Sequence, residues 1–533
     1  MTSKSVVQGL ACKSENEKQV MQVLQELARC GVKDICVCPG LRNAPFVTAL
    51  DKMPQFKQYF WSEERSAAFF ALGRSKITQK PTVVLTTSGT AAGELLPAAM
   101  EAYYTGVPLI LLTADRPSHF RGTGAPQTAE QVGLYGQYAV FEQDINGKED
   151  CILKAWQQNG PAHINVCIDE PLTQKFEDLP ELTDEIYGIQ REYSWESDAA
   201  ALDQFLQKSQ YPLVVVSAIP YEARDAIVRF LREYNAPVYL EGVSTLREDP
   251  RLSHLRIART DNIWKAAENA SYPIDGILRI GGVPTFRLWR DLENRPEIHV
   301  CSISDLPFSG LSWGTVQHTQ LQAFFEQHRI KNAINEICHP WIDADRSYSK
   351  NLLKMLNKEP FSEAALVYQL SKQIPSQSLV YLGNSLPIRE WDAYATDDCE
   401  HFNVLANRGL NGIDGQLSTF FGMCKPNIQN WGIVGDLTTI YDLAGPWILD
   451  QMQDIDLNVV VINNGGGKIF ARVFPNKQIQ NLHHVQFKSL AEMWNMHYEH
   501  YTQLPKKIPH GGHRLIEIVP DEESTLRFWN ALC

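Results

Sequence analysis

Asp436 closes the apolar run W-G-I-V-G-D, and Asn463 and Asn464 close a second, L-N-V-V-V-I-N-N, with Gly465, Gly466 and Gly467 directly after it. A carboxylate and an amide oxygen are hard donors. Together they suit a cation such as Mg²⁺ or Mn²⁺, which also takes phosphate oxygens and water. The glycines let backbone lie close against a phosphate. This chemistry needs the two run ends to meet. Two buried strands joined by a helix form a right-handed parallel crossover, which brings both polar ends to one sheet edge. That edge is where open α/β sheets bind ligands. An aspartate after a strand also commonly caps the next helix, so the pair, not Asp436 alone, carries the expectation. Either Asn464 or Asn463 could supply the amide oxygen.

Two further groups of residues could act. Glu64 stands between a strand and an apolar helix in Y-F-W-S-E-E-R-S-A-A-F-F. A glutamate there can simply favour the helix N-terminus, a task that Glu63 fits better. Phe60, Trp61 and Phe69 would shield a functional Glu64 from water. Arg42, Arg116, Arg389 and Arg408 each follow a strand or sit in a glycine-bearing loop. One such arginine is readily explained as a surface ion pair. Four of them, in an acidic chain, point to local anion sites, because guanidinium forks bind carboxylates in bidentate fashion.

The elements that must position these residues alternate helix and strand. Residues 16–30 have helical spacing, followed by strands at 34–38, 56–61, 82–87 and 107–114 with helices between them. The pattern returns at 211–218, 221–234, 236–240, 275–282 and 297–303, and again from a helix at 362 and a strand at 378–383. Strands without polar alternation, separated by helices, indicate parallel sheets covered on both faces. Stretches at 171–199 and 339–360 read as connectors. The expected fold class is α/β, with three doubly wound parallel-sheet domains at 1–180, 200–340 and 355–533. A chain of 533 residues has room for them.

Composition narrows the partners. A formal charge of −13 argues against nucleic acid or an anionic membrane as the main partner. The first residues lack the apolar core of a signal peptide, and no apolar run is long enough to span a bilayer. Eleven scattered cysteines, with no paired C-x-x-C motifs, predict reduced thiols in a cytoplasmic protein. No G-x-G-x-x-G follows the first strand, against a nicotinamide-binding protein.

The N-N-G-G-G motif with its upstream aspartate resembles the diphosphate-binding motif of thiamine diphosphate enzymes. More specifically, the chain resembles the MenD family, the 2-succinyl-5-enolpyruvyl-6-hydroxy-3-cyclohexene-1-carboxylate synthases of menaquinone biosynthesis. The likeness rests on C-P-G-L-R-N-A-P (38–45), E-E-R (63–65), T-S-G-T-A (87–91), T-A-D-R-P (113–117) and Gln127. It continues through G-N-S-L-P-I-R (383–389), N-R-G-L-N-G-I-D-G (407–415) and N-N-G-G-G-K-I-F (463–470). These motifs lie in the first and last parts of the chain, and the middle part matches only around Arg287.

The resemblance implies thiamine diphosphate and Mg²⁺ (or Mn²⁺) as cofactors, and a pyrimidine-binding first domain with a diphosphate-binding last domain. It implies metal ligation by Asp436, Asn464 and the carbonyl of Gly466. Gly435 and Leu437 would join Asp436 and Gly466 around the diphosphate. Glu64 would bond the aminopyrimidine and promote loss of the thiazolium proton. Ile413 would prop the cofactor in its bent shape, with Ile469 and Phe470 lining the pocket above the reacting carbon. Ser385, Arg389 and Arg408 would hold the carboxylate end of 2-oxoglutarate. Arg42, Arg116, Gln127 and Arg287 would face isochorismate, with Glu64, Arg389, Arg408 and Gln127 the catalytic set. In the family each site is built from two chains, so a homodimer or homotetramer is expected. Two positions depart from the family pattern. Leu41 stands where a serine is usual, and Phe286 where a lysine is usual. Both belong to the acceptor side, so a decarboxylase or carboligase with a different acceptor is the alternative. Lys468 is a candidate replacement cation. An inactive, cofactor-binding subunit is a further reading, opposed by the presence of Glu64, Asp436 and Asn464.

Overall fold

A computed structural model describes residues 15–532, apart from 148–149, 174–175, 177–181, 183–184, 189–198, 331–332, 335–337, 399–402, 472–473 and 475. Much of the expected 171–199 connector therefore lies outside the described residues, as do Cys12, Cys399 and Cys533. The other eight cysteines are free thiols and buried.

The apolar runs become strands of three sheets, with every strand pairing parallel. The first holds β1 (Asp34–Val37), β2 (Lys57–Phe60), β3 (Thr82–Thr86), β4 (Leu109–Asp115), β5 (Phe141–Ile145) and β6 (Ala162–Cys167). Their spatial order is β2-β1-β3-β4-β6-β5. The middle sheet holds β7 (Pro212–Val216), β8 (Val238–Leu240), β9 (Gly276–Ile280), β10 (His299–Ser304) and β11 (Gln317–His318), in the order β11-β10-β9-β7-β8. The last holds β12 (Leu379–Leu382), β13 (Asn403–Leu405), β14 (Asn430–Gly435), β15 (Leu457–Ile462), β16 (His497–Tyr501) and β17 (His513–Ile518). Its order, β13-β12-β14-β15-β17-β16, repeats that of the first sheet. In both, the order reverses between the first strand and the third, which is the crevice position where such sheets take ligands.

Burial explains the lack of alternation. Every residue of β3, β4, β12 and β15 is buried, because helices cover both faces. Full burial of one such aliphatic side chain is worth about 1.5–3 kcal/mol. Val37, Phe46, Leu85 and Ile164 belong to the core of the first sheet, Val214, Leu231 and Leu278 to that of the middle one, and Val380, Trp391, Ile433 and Val460 to that of the last.

By contact density the chain divides into two compact units, 1–191 and 192–533, and the second contains both the middle and the last sheets. The boundaries 1–180, 200–340 and 355–533 stay a proposal drawn around the three sheets. Within the second unit the reason for the union is visible. Arg247, 7% exposed, donates to the carbonyls of Ala395 and Thr396. The stretch 339–360, expected as a connector, is instead a 20-residue helix, His339–Lys358. Pro340 sits in its first turn, where a missing N–H costs nothing. The start of the helix buries Trp341 and Ile342 in the middle core, and its end packs Leu352 and Leu356 against Phe528.

Candidate active site

β14 and β15 lie side by side with Gly435 opposite Ile462, so Asp436 and the asparagine pair leave the sheet at the same edge. Asp436 is 3% exposed, and its carboxylate is wrapped by donors. Oδ1 accepts from Leu437 N at 2.6 Å, and Oδ2 from Gly465 N and Gly466 N at 2.8 and 2.9 Å. The His483 Nε2 stands 3.2 Å from Oδ2. Burial raises the Asp436 carboxyl above the ordinary range, opposed by these N–H groups and by His483. The turn after β15 demands glycine at 466. Its φ is +139°, and a Cβ there would lie 2.7 Å from the Gln480 carbonyl oxygen. The Gly466 carbonyl accepts from Lys468 N at 2.8 Å.

The two asparagines are distinguished by what they touch. Asn463 is held by structure: its Nδ2 donates to Glu517 at 2.6 Å and to the Val485 carbonyl at 2.9 Å. Asn464 Nδ2 donates to both oxygens of Glu363, at 2.8 and 3.1 Å. Its Oδ1 is buried with no hydrogen-bond partner. A bare buried amide oxygen beside a carboxylate and a backbone carbonyl is a fitting oxygen donor set for Mg²⁺ or Mn²⁺.

A cavity of about 300 Å³ opens beside these donors. Of the residues singled out from the sequence, Ser385, Arg389, Arg408, Ile413, Gly435 and Leu437 line it. So do Asp436, Asn464, Gly466, Lys468, Ile469 and Phe470. The two motif loops are tied by Asn384, which is fully buried. Its Nδ2 donates to the carbonyls of Asn407 and Gly412 at 2.8 and 2.7 Å, while its Oδ1 accepts from Arg408 at 2.6 Å. Arg389 Nη1 donates to the Ser385 carbonyl at 2.7 Å. Ser385 itself has φ +75°, a strained conformation for a residue with a side chain. Lost hydration, then the like charge of Arg408, push Arg389 below the ordinary arginine range, although its side chain still reaches solvent. Two such guanidiniums make a ready carboxylate clamp. Lys468, the candidate replacement cation, is engaged by Glu522 at 2.8 Å.

Sequence reasoning missed a buried carboxyl pair beside this cavity, Glu363 and Glu390, 2% and 3% exposed. Burial raises both carboxyls, Glu390 the further. His483 was missed as well. Neither has a local signal: Glu363 reads as an ordinary first-turn glutamate behind the Ser362 cap.

In the first unit, Glu63 caps the helix Glu64–Thr78, accepting from Arg65 N and Ser66 N at 3.1 and 2.8 Å. Glu64 is thereby left to another task. Burial, with Glu63 and Glu94 nearby, raises its carboxyl. Trp61 and Phe69 are buried, whereas Phe60 is 42% exposed. The loop after β1 is built by Asn43, which bonds Gly40 N and the Cys38 carbonyl. Arg42 donates to the Ile168 carbonyl at 2.9 Å, and burial, then the charge of Arg116, lower it. Arg116 reaches the Pro126 carbonyl at 2.9 Å, next to Gln127. Gln127 has φ +57° and packs its backbone over Gly89, whose own N–H is held by Gln131. Leu41 is 67% exposed. In the second unit Phe286 stacks on Tyr239, and Arg287 is exposed on a short helix, 3.5 Å from Asp291, without lining the cavity.

A carboxylate, an amide oxygen and a carbonyl at the edge of a parallel sheet, with an arginine pair in the same cavity, fit a thiamine diphosphate enzyme, and the comparisons with known proteins assign that class. Residues 19–134 match the family model described as "Thiamine pyrophosphate enzyme, N-terminal TPP binding domain". A relative in Bdellovibrio bacteriovorus, named 2-succinyl-5-enolpyruvyl-6-hydroxy-3-cyclohexene-1-carboxylate synthase, is 40% identical, with 96% of this chain and 98% of the relative covered. Relatives of the same name in Akkermansia muciniphila and Lysinibacillus sphaericus are 37% and 29% identical, covering 95% and 96% of this chain and 98% and 97% of their own lengths. The chain belongs to the 2-succinyl-5-enolpyruvyl-6-hydroxy-3-cyclohexene-1-carboxylate synthase family.

Proposed function

We propose that this enzyme decarboxylates 2-oxoglutarate and adds the remaining four-carbon unit to isochorismate in a 1,4 sense. The product is 2-succinyl-5-enolpyruvyl-6-hydroxy-3-cyclohexene-1-carboxylate. The observation that carries this reading is the cavity that holds the Asp436–Asn464 oxygen pair and the Arg389–Arg408 clamp together. Family membership favours isochorismate over another acceptor.

Bound thiamine diphosphate would supply the carbon nucleophile and the electron sink for loss of carbon dioxide. Asp436, the Asn464 amide oxygen and the Gly466 carbonyl would hold Mg²⁺ or Mn²⁺ against its diphosphate, with Gly435 and Leu437 beside them. Glu64, its carboxyl raised by partial burial, would hold a proton at the aminopyrimidine. Ile413, Ile469 and Phe470 would keep water from the reacting centre. Ser385, Arg389 and Arg408 would fix the distal carboxylate of 2-oxoglutarate. Arg42, Arg116 and Gln127, with Arg287, would meet the carboxylates of isochorismate. Orientation of two anionic substrates by fixed guanidiniums supplies much of the catalysis in this scheme. Glu64 and Asp436 belong to different compact units, and we place the protein in the cytoplasm as a homodimer or homotetramer whose sites each draw on two chains. Among the described residues no helix is long and apolar enough to cross a membrane.

The test is carbon dioxide release from 2-oxoglutarate by purified protein with thiamine diphosphate and Mg²⁺, with and without isochorismate. The named product keeps its enolpyruvyl group, so carbon dioxide, not pyruvate, is the molecule to assay. Strong stimulation by isochorismate, with the adduct in the mass spectrum, is expected. Slow release indifferent to isochorismate would move the reading to another acceptor.

A further inference from the structure

An asparagine can serve a cation only through its amide oxygen, and the amide fits its slot equally well turned by 180°. We propose that Glu363 is the positioning residue that decides this orientation: its carboxylate takes the Asn464 nitrogen and so commits Oδ1 to the cation. The inference rests on the metal reading of the cavity above.

Three observations support it. Both Glu363 oxygens are within 3.1 Å of Asn464 Nδ2, and a carboxylate, which only accepts hydrogen bonds, matches the nitrogen end of the amide. The opposite end, Oδ1, is buried and bare, an unfavourable arrangement unless a cation or a hydrogen-bond donor meets it. Glu363 is itself fixed: its N–H donates to Thr525 Oγ1 at 3.0 Å, and Ser362 caps the helix that it begins. Removing such a partner behind a metal ligand lowers metal affinity by about 10–100-fold in general.

The test titrates Mn²⁺ by electron paramagnetic resonance against the full chain with thiamine diphosphate present, in the wild type, Glu363→Gln, Glu363→Ala and Asp436→Ala. Glu363→Ala is expected to raise the Mn²⁺ Kd about 10–100-fold. Glu363→Gln should raise it by a smaller factor, since its amide can present either an oxygen or a nitrogen to Asn464. Saturating Mn²⁺ should restore kcat, with the KM for 2-oxoglutarate unmoved. A purely structural role would lower Tm and the folded fraction but leave the Kd of the folded protein alone. If Glu363→Ala does not fold, Glu363→Gln decides. A Kd within about twofold of wild type in the folded Glu363 variants, with Asp436→Ala defective, would overturn the role of Glu363 alone. An unchanged Kd in Asp436→Ala as well would remove the metal site itself.

Discussion

Glu63 and Glu64 are adjacent and chemically identical, yet the backbone separates their tasks. The helix begins at Glu64, so the residue before it caps, with its carboxylate on two N–H groups. Glu63→Ala is therefore expected to cost about 1 kcal/mol of stability, read as a lower Tm. Glu64→Gln should retain thiamine diphosphate binding by calorimetry while turnover falls by about 10²–10⁴-fold, the range for losing a positioned proton-transfer group. Near-normal turnover would withdraw Glu64 from the chemistry. The arginines divide in the same manner. Arg408→Ala should raise the KM for 2-oxoglutarate, since a charge-assisted bond to a carboxylate is worth roughly 1.5–3 kcal/mol. Arg42→Ala should act on the KM for isochorismate instead. Equal effects of both variants on both substrates would contradict the division.

At the scale of elements, the turn that follows β15 matters as much as the ligands on it. Gly466 is pinned between the Asp436 carboxylate and the Gln480 carbonyl, neither of which can retreat. Gly466→Ala must open this turn. It is expected to weaken thiamine diphosphate binding at least tenfold, with local strain of about 1–3 kcal/mol. Unaltered affinity would mean that the turn does not shape the diphosphate site. The strand–turn pattern here was legible because apolar runs stop abruptly at polar residues. The helix His339–Lys358 was not, although Trp341, Asp345, Leu352 and Leu356 recur at helical intervals. Its many charges and Pro340 resemble a connector until two separate cores claim its two ends.

Across the whole second unit, Asp392 offers a pH-dependent contribution. It lies half-buried at the junction of the middle and last sheets, where its Oδ1 accepts from Gly242 N at 2.6 Å. Burial, then the charge of Glu241, raise its carboxyl from 3.8 to about 7, against Gly242 N–H, Arg247 and Arg408, which lower it. Between about pH 4 and 7 the folded protein thus holds a proton that the unfolded chain releases. That contribution to stability is complete at the acid end and lost as pH rises through about 7. Asp392→Asn should flatten the fall in Tm between about pH 4 and 7; an unchanged profile would assign the titration elsewhere. Leu443, Trp447 and Met493 are 46%, 41% and 70% exposed on the single chain, apolar surface that suits a partner subunit. Light scattering should report at least two chains per particle, and dilution to monomers should abolish activity.

The order of apolar runs and helices, the meeting of Asp436 with the asparagine pair at one sheet edge and the arginine-bearing loops followed from the sequence alone, because each is written in neighbouring residues or in one strand–helix–strand unit. The tertiary structure decided what depends on distant partners. It held Asn463 in the core and left Asn464 Oδ1 bare, placed Glu363 behind a residue 101 positions away, and seated Arg287 on the surface. Side-chain orientation and burial arise from packing between elements, and packing sets whether a given carboxylate, amide or guanidinium meets a partner, solvent or an open cavity.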